Sequence, residues 1–157
     1  LQGFDGSMTT PAEQAKACAE RLVRLSNQYI EDPNLAVRER RYDANFSPEV
    51  LGAEASTVLG RWAEAANFYR TLMAKMGKDA ALFYRIDELE VLKAERSGDL
   101  KKALNIARGL QSKYSLNAQD EGTRQAANML YGKIDELERK LGIPSSAISV
   151  NEMLSGQ

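Results

Sequence analysis

Two segments of this chain match each other without a gap, and each has the pattern of the second half of a helix–turn–helix unit. The first runs over 60–72 and the second over 98–110. Counting from its glycine, each segment has an apolar residue at two, alanine at five, apolar residues at six and eight, arginine at ten and leucine at twelve. Such an internal repeat predicts stacked helical hairpins, in which neighbouring units bury a shared core.

Prolines, capping residues and glycines mark the ends of the predicted helices. Thr10-Pro11, Asp32-Pro33 and Ser47-Pro48 each have the form of an N-cap followed by proline at the first helical position. Apolar residues recur at helical spacing between these signals, and no alternating run of β-branched residues occurs. The sequence therefore predicts an all-α fold of six or seven helices, over 11–30, 33–42, 48–59, 61–76, 79–96, 99–114 and 119–141.

The repeated segments resemble the second half of a tetratricopeptide repeat. They place a turn glycine, a large residue, a small alanine and a bulky residue in that family's order, at Gly60, Trp62, Ala65 and Phe68, and at Gly98, Leu100, Ala103 and Ile106. The two glycines are 38 residues apart (98 minus 60), against about 34 in the family. The resemblance implies antiparallel hairpins in a short array, capped by the last helix. A plain helical bundle is the alternative.

The same resemblance implies a function. It indicates a non-enzymatic module that presents a groove to a peptide or helix of a partner protein, as an adaptor, an assembly factor or a small chaperone. Pairing with a second copy of the chain is a further possibility. No cofactor is implied.

Composition limits the chemistry that is available. The 157 residues include no histidine, which excludes Ser-His-Asp and Cys-His nucleophiles and removes the commonest metal ligand. Cys18 is the only cysteine, and with Ala15, Leu22, Leu25 and Tyr29 it forms the apolar stripe of the first helix. We therefore predict a buried, unreactive thiol there. No catalytic or metal-binding residue is predicted.

Charge and length bear on location and organisation. The net charge of −1 gives no long-range attraction to polyanions or acidic membranes. A lone cysteine and the lack of a long apolar run predict a cytoplasmic, reducing location. Gly6-Ser7 before Met8 is typical of an expression remnant, so we expect one domain over 8–143, preceded by a remnant over 1–7 and followed by a tail over 144–157.

The helix over 79–96 is the best candidate for a binding surface. Its apolar residues point in almost every direction, which predicts burial on more than one side. The remaining seam holds a leucine among charges, a pattern able to anchor a partner's helix. The predicted partner-binding residues are Arg85, Glu88, Leu92, Glu95 and Arg96. The alternative is that Leu92 packs on a neighbouring helix.

A second functional hypothesis uses the cationic helix that follows. Lys101, Lys102 and Arg108 give it the character of a nucleic-acid contact in a small all-α subunit of a nucleoprotein or viral assembly. Those cations equally suit the acidic helix before them. The third hypothesis, an enzyme that uses carboxylates alone, is disfavoured because most acids have a lysine or arginine three or four residues away, as in the surface pairs Asp135–Arg139 and Glu136–Lys140. The acids of 134–138 are accordingly expected on a solvated face.

Overall fold

The computed structural model describes residues 10–38, 47–116 and 120–144. Within these ranges it contains seven α-helices and no strand, which confirms the all-α prediction. The predicted remnant over 1–7, almost all of the tail over 144–157 and the last part of the predicted 33–42 helix lie outside the described residues. The helices are α1 (Pro11–Glu31), α2 (Pro33–Arg38), α3 (Pro48–Val58), α4 (Trp62–Met76), α5 (Ala80–Arg96), α6 (Leu100–Leu116) and α7 (Glu121–Leu141).

Side-chain caps define where these helices begin. Thr10 and Glu13 form a capping box at the start of α1, in which the Thr10 hydroxyl accepts from the Glu13 N–H at 3.1 Å and the Glu13 carboxylate accepts from the Thr10 N–H at 3.0 Å. Ser47, Asp79 and Asp120 cap α3, α5 and α7 through single acceptors. Because these signals are local in sequence, the predicted helix ends agree closely with the structure.

The two repeated segments begin with the same turn. Gly60 and Gly98 both have positive φ, 72° and 86°, a region that favours glycine. In each turn the glycine N–H donates to the carbonyl three residues earlier, at 3.0 Å in both. The next N–H donates to the carbonyl five residues earlier, at 2.8 and 3.0 Å. Both turns are therefore Schellman motifs, and the sequence repeat is also a repeat of backbone geometry.

The alanines at position five of the repeat pack as the sequence predicts. Ala65 in α4 and Ala103 in α6 both have no exposed surface. A larger side chain has no room at either position without displacing its neighbours.

The first compact unit, residues 1–72, is built on close contact between α1 and α3, with α2 against α1. The Phe68 ring of α4 packs directly on Gly52 of α3, where an added Cβ would lie 2.6 Å from the ring. The buried positions of α1 are Ala19, Val23, Ser26 and Tyr29.

The predicted apolar stripe of α1 is therefore largely wrong. Of its members only Tyr29 is buried; Leu22 and Leu25 are half-buried, and Ala15 and Cys18 are exposed. The core stripe lies one position further along and uses smaller residues. Small residues occupy these core positions because they let the backbone of α1 come close to α3.

The second unit, residues 73–157, is a three-helix arrangement in which α6 packs against both α5 and α7, and α5 also contacts α7. Its core includes Tyr84, Val91, Leu104, Leu130, Ile134 and Leu137. The helical spacing of Leu130, Ile134, Leu137 and Leu141 in the sequence predicts one apolar stripe on α7. The structure confirms it, since the first three are at most 1% exposed and Leu141 packs against the core.

The boundary between the two units falls within α4, and the expectation of a single domain stays a prediction. Every helix in the described part of the chain is too short or too polar to cross a bilayer.

Candidate functional site

The predicted binding residues lie along one side of α5. Arg85, Glu88, Leu92, Glu95 and Arg96 follow one another at spacings of three, four, three and one, so they share an arc of the helix. We call this arc the α5 seam. α5 is also buried on more than one side, as predicted. Leu89 and Val91 are both buried, and because they are two positions apart on the helix, their side chains point in directions that differ by roughly 200°.

At the C-terminal end of the seam, Glu95 is held by two lysines of α7. Its carboxylate accepts from Lys133 at 3.0 Å and from Lys140 at 3.1 Å. Glu136 contacts the same two lysines, at 3.3 and 2.9 Å, so the four groups form a closed ring of alternating charge. Burial of Glu95 disfavours its ionised form, but the hydrogen bonds from the lysines outweigh it and lower the pKa of this carboxyl.

At the N-terminal end, the seam's charges are held within α5. Arg85 Nη1 lies 3.5 Å from Glu88 Oε1, and the Tyr84 hydroxyl donates to the other oxygen of Glu88. Burial, together with the hydrogen bond to Glu88, raises the pKa of Tyr84 well above its ordinary range. Tyr84 in turn meets Tyr114 edge to face, with ring centroids 5.8 Å apart.

Between these two ends lies Leu92, which is half-buried, while Arg96 at the end of the helix is exposed. The structure thus brings Arg85 and Glu88 together and ties Glu95 to α7. A partly accessible leucine with fixed carboxylates on either side is able to orient an apolar side chain of a partner. That Leu92 binds a partner stays a prediction.

The cationic residues of α6 do not act as one group. Lys101 and Lys102 are exposed near its start, and successive positions on a helix point roughly 100° apart. Arg108 Nη2 donates to Glu138 Oε1 of α7 at 2.8 Å. The nucleic-acid hypothesis therefore stays a prediction that rests on the two lysines, because Arg108 already binds a carboxylate.

The hypothesis that α6 faces its acidic neighbour is supported at one point. Lys113 Nζ lies 2.8 Å from Asp87 Oδ2 of α5, and the Tyr114 hydroxyl donates to the same oxygen at 2.9 Å. Burial and this hydrogen bond raise the pKa of Tyr114 far above its usual value. Asp87 is therefore a structural link between α5 and α6.

The carboxylates of α7 follow the predicted pairs with one exception. Asp135 lies 3.4 Å from Arg139, and Glu136 lies 2.9 Å from Lys140. Glu138, however, has no exposed surface, so the expectation of a solvated face is wrong for this residue. The described residues contain no cluster of three or more acidic, cysteine or histidine side chains placed to hold a metal ion.

The structure shows a surface that the sequence placed in the core. A groove of about 420 Å³ runs along α1, lined by Cys18, Arg21, Leu22, Arg24, Leu25 and Gln28. Cys18 is exposed, which corrects the prediction of a buried thiol. The signal that could have revealed this groove is the second, smaller-residue stripe on α1, whose members are one position away from the leucines.

Comparison with known protein families, curated proteins and solved structures finds no match for this chain. The functional argument therefore rests on the residues themselves.

Proposed function

We propose that this chain is a non-enzymatic interaction module, built from tetratricopeptide-like hairpins, that binds a helix or peptide of a partner protein along the α5 seam. An adaptor, an assembly factor and a small chaperone all have this activity. Self-association through the same seam is the second form of the proposal.

One observation carries the proposal: the α5 seam combines a partly accessible apolar anchor with charges whose positions are set by the fold. Glu95 is fixed by the ring that it forms with α7, and Glu88 by Tyr84 and Arg85. Side chains that are already ordered lose little conformational entropy when a partner binds. The matched turns of the two hairpins and the buried Ala65 and Ala103 support the repeat architecture behind the proposal.

The test is retention of a partner by the full chain and by two matched variants of α5. Leu92→Asp places a charge in the seam. Phe83→Asp makes the same kind of change at an apolar residue that is 43% exposed and lies on the opposite side of α5. The chains are immobilised, incubated with a lysate of the source organism, and the retained proteins are compared by mass spectrometry. Circular dichroism verifies that both variants keep their helicity.

We expect the wild type and Phe83→Asp to retain the same protein and Leu92→Asp to lose it. Arg85→Glu provides a second variant of the seam, at an exposed position where the folding penalty is small. If folded Leu92→Asp and Arg85→Glu chains both keep the partner, the seam is not the binding surface. Light scattering of the wild type and Leu92→Asp distinguishes self-association, since only the wild type then has the mass of a dimer.

A further inference from the structure

The groove on α1 has a floor and a rim of different chemistry. Cys18, Leu22 and Leu25 follow at spacings of four and three and make one apolar stripe. Arg21, Arg24 and Gln28 make a neighbouring polar stripe along one side of it. The two leucines are half-buried, and both arginines are exposed.

The rim carries two positive charges that no acidic residue in the described part of the chain neutralises. Among the described residues, no acidic side chain lines the groove, and neither Arg21 nor Arg24 forms an ion pair with one of them. Other basic groups of the described chain are held in ion pairs, among them Arg108 and the lysines of α7. A free guanidinium presents a planar set of donors that matches a carboxylate, and two of them beside one groove favour an anionic occupant.

We propose that this groove binds a second segment of a partner protein, an acidic amphipathic helix with apolar residues on one face and aspartate or glutamate along its edge. The apolar stripe from Cys18 to Leu25 is roughly 10 Å long at 1.5 Å per residue, which suits about two turns of such a helix. The leucine floor favours this occupant over a single-stranded nucleic acid, because the groove lining includes no aromatic side chain on which bases could stack. The inference rests on the proposed interaction function and adds a second contact surface with a defined charge preference.

The experiment uses Cys18 as a native probe, because it is the only cysteine of the chain and lies inside the groove. The rate at which a thiol reagent modifies Cys18 is measured for the full chain alone and with two pools of short synthetic peptides. Both pools share leucines at helical spacing; one carries only glutamate and aspartate at its polar positions, and the other only lysine and arginine. We expect the acidic pool to slow the modification and the basic pool to leave it unchanged.

Charge reversal tests the role of the rim. Arg21→Glu combined with Arg24→Glu is expected to weaken protection by the acidic pool by roughly tenfold or more, as for the loss of charge-assisted contacts. Lys16→Glu is the matched control, since it reverses an exposed charge of α1 that does not line the groove. It should leave protection nearly unchanged. Raised salt should weaken protection of the wild type.

Several results would overturn the proposal. An acidic partner is excluded by any one of three results: equal protection of Cys18 by both pools, no protection by either pool, or protection that survives reversal of both arginines. A modification rate that falls as the chain is concentrated indicates a second copy instead. Protection by single-stranded RNA but not by acidic peptides indicates a nucleic acid. If Leu92→Asp abolishes partner binding while the acidic pool leaves Cys18 unprotected, only the groove inference fails.

Discussion

The ion pair between Arg108 and Glu138 leads to a large predicted effect on stability for a single exchange. Glu138 has no exposed surface, whereas the Arg108 side chain is 42% exposed and donates to it at 2.8 Å. Arg108→Met keeps most of the aliphatic stem and removes the charge, so it leaves a buried carboxylate without this cation. A hydrogen bond to a charged group contributes about 1.5–3 kcal/mol, and breaking a fully buried pair costs about 3–5 kcal/mol.

Because only one partner of the pair is buried, we expect a loss of about 3 kcal/mol in the free energy of unfolding. For a chain of this size that corresponds to roughly 6–12 °C in Tm. Urea denaturation followed by circular dichroism measures the free energy, and a thermal scan measures Tm. The double variant Arg108→Met with Glu138→Gln should recover part of the loss, since a neutral amide replaces the buried carboxylate that has lost this cation.

Arg124→Met is the matched control for this experiment. Arg124 lies 3.0 Å from Glu121, but that carboxylate is 68% exposed, so the pair is a surface ion pair worth at most about 1 kcal/mol. If Arg108→Met and Arg124→Met destabilise the chain equally, burial of Glu138 does not govern the energetics, and the reasoning is refuted.

Three further predictions follow from other parts of the chain. Gly52→Ala should destabilise the chain by about 1–3 kcal/mol in urea denaturation, because the new methyl meets the buried Phe68 ring. Gly132→Ala, with open space around it, should stabilise the chain by about 0.5–1 kcal/mol, and equal effects would contradict the contact between Gly52 and Phe68. The two lysines of α7 lower the pKa of Glu95 below its ordinary 4.5, so the stability that Glu95 contributes is present above that pH and is lost as pH falls through the folded value. Glu95→Gln should therefore flatten the dependence of unfolding free energy on pH below about pH 5, and an unchanged slope would count against the charge ring. In fluorescence anisotropy we expect no salt-dependent binding of single-stranded RNA by the wild type. Strong binding would instead favour the nucleoprotein hypothesis, and Lys101→Glu with Lys102→Glu should then weaken that binding and reduce its salt dependence by roughly two counterions.

Helix positions could be predicted from sequence because their determinants are local. Thr10-Pro11 and Ser47-Pro48 start helices through caps that reach only three residues along the chain. Gly60 and Gly98 end helices because they adopt positive φ, and their 38-residue offset (98 minus 60) carries over into matching hydrogen bonds. The buried alanines at position five belong to the same local pattern, so they too could be predicted.

The face of α1 could not be predicted, because its determinant is tertiary. Ranking by hydrophobicity selects the leucines, whereas close approach to α3 selects Ala19, Val23 and Ser26. The hydroxyl of Ser26 makes no hydrogen bond to a described residue, so this position contributes small size rather than polarity. The groove that Cys18 lines could not be predicted for the same reason, because it depends on which face of α1 is buried.

The candidate site was partly within reach of sequence reasoning. The order of charges around Leu92 is visible in the letters of α5, but the ring that fixes Glu95 requires Lys133, 38 positions away. The arginine that binds the buried Glu138 is likewise 30 positions away, at Arg108. Without aligned relatives, no local feature of one sequence indicates which distant cation meets which acid.

The central claim is that this chain works by holding a partner along the α5 seam. The most direct measurement is amide hydrogen exchange, followed by mass spectrometry, on the full chain with and without the partner that it retains. The account predicts slower exchange in peptides that cover 85–96. Slower exchange confined to the start of α6 at Lys101 and Lys102, or no change in any helix on binding, would contradict it.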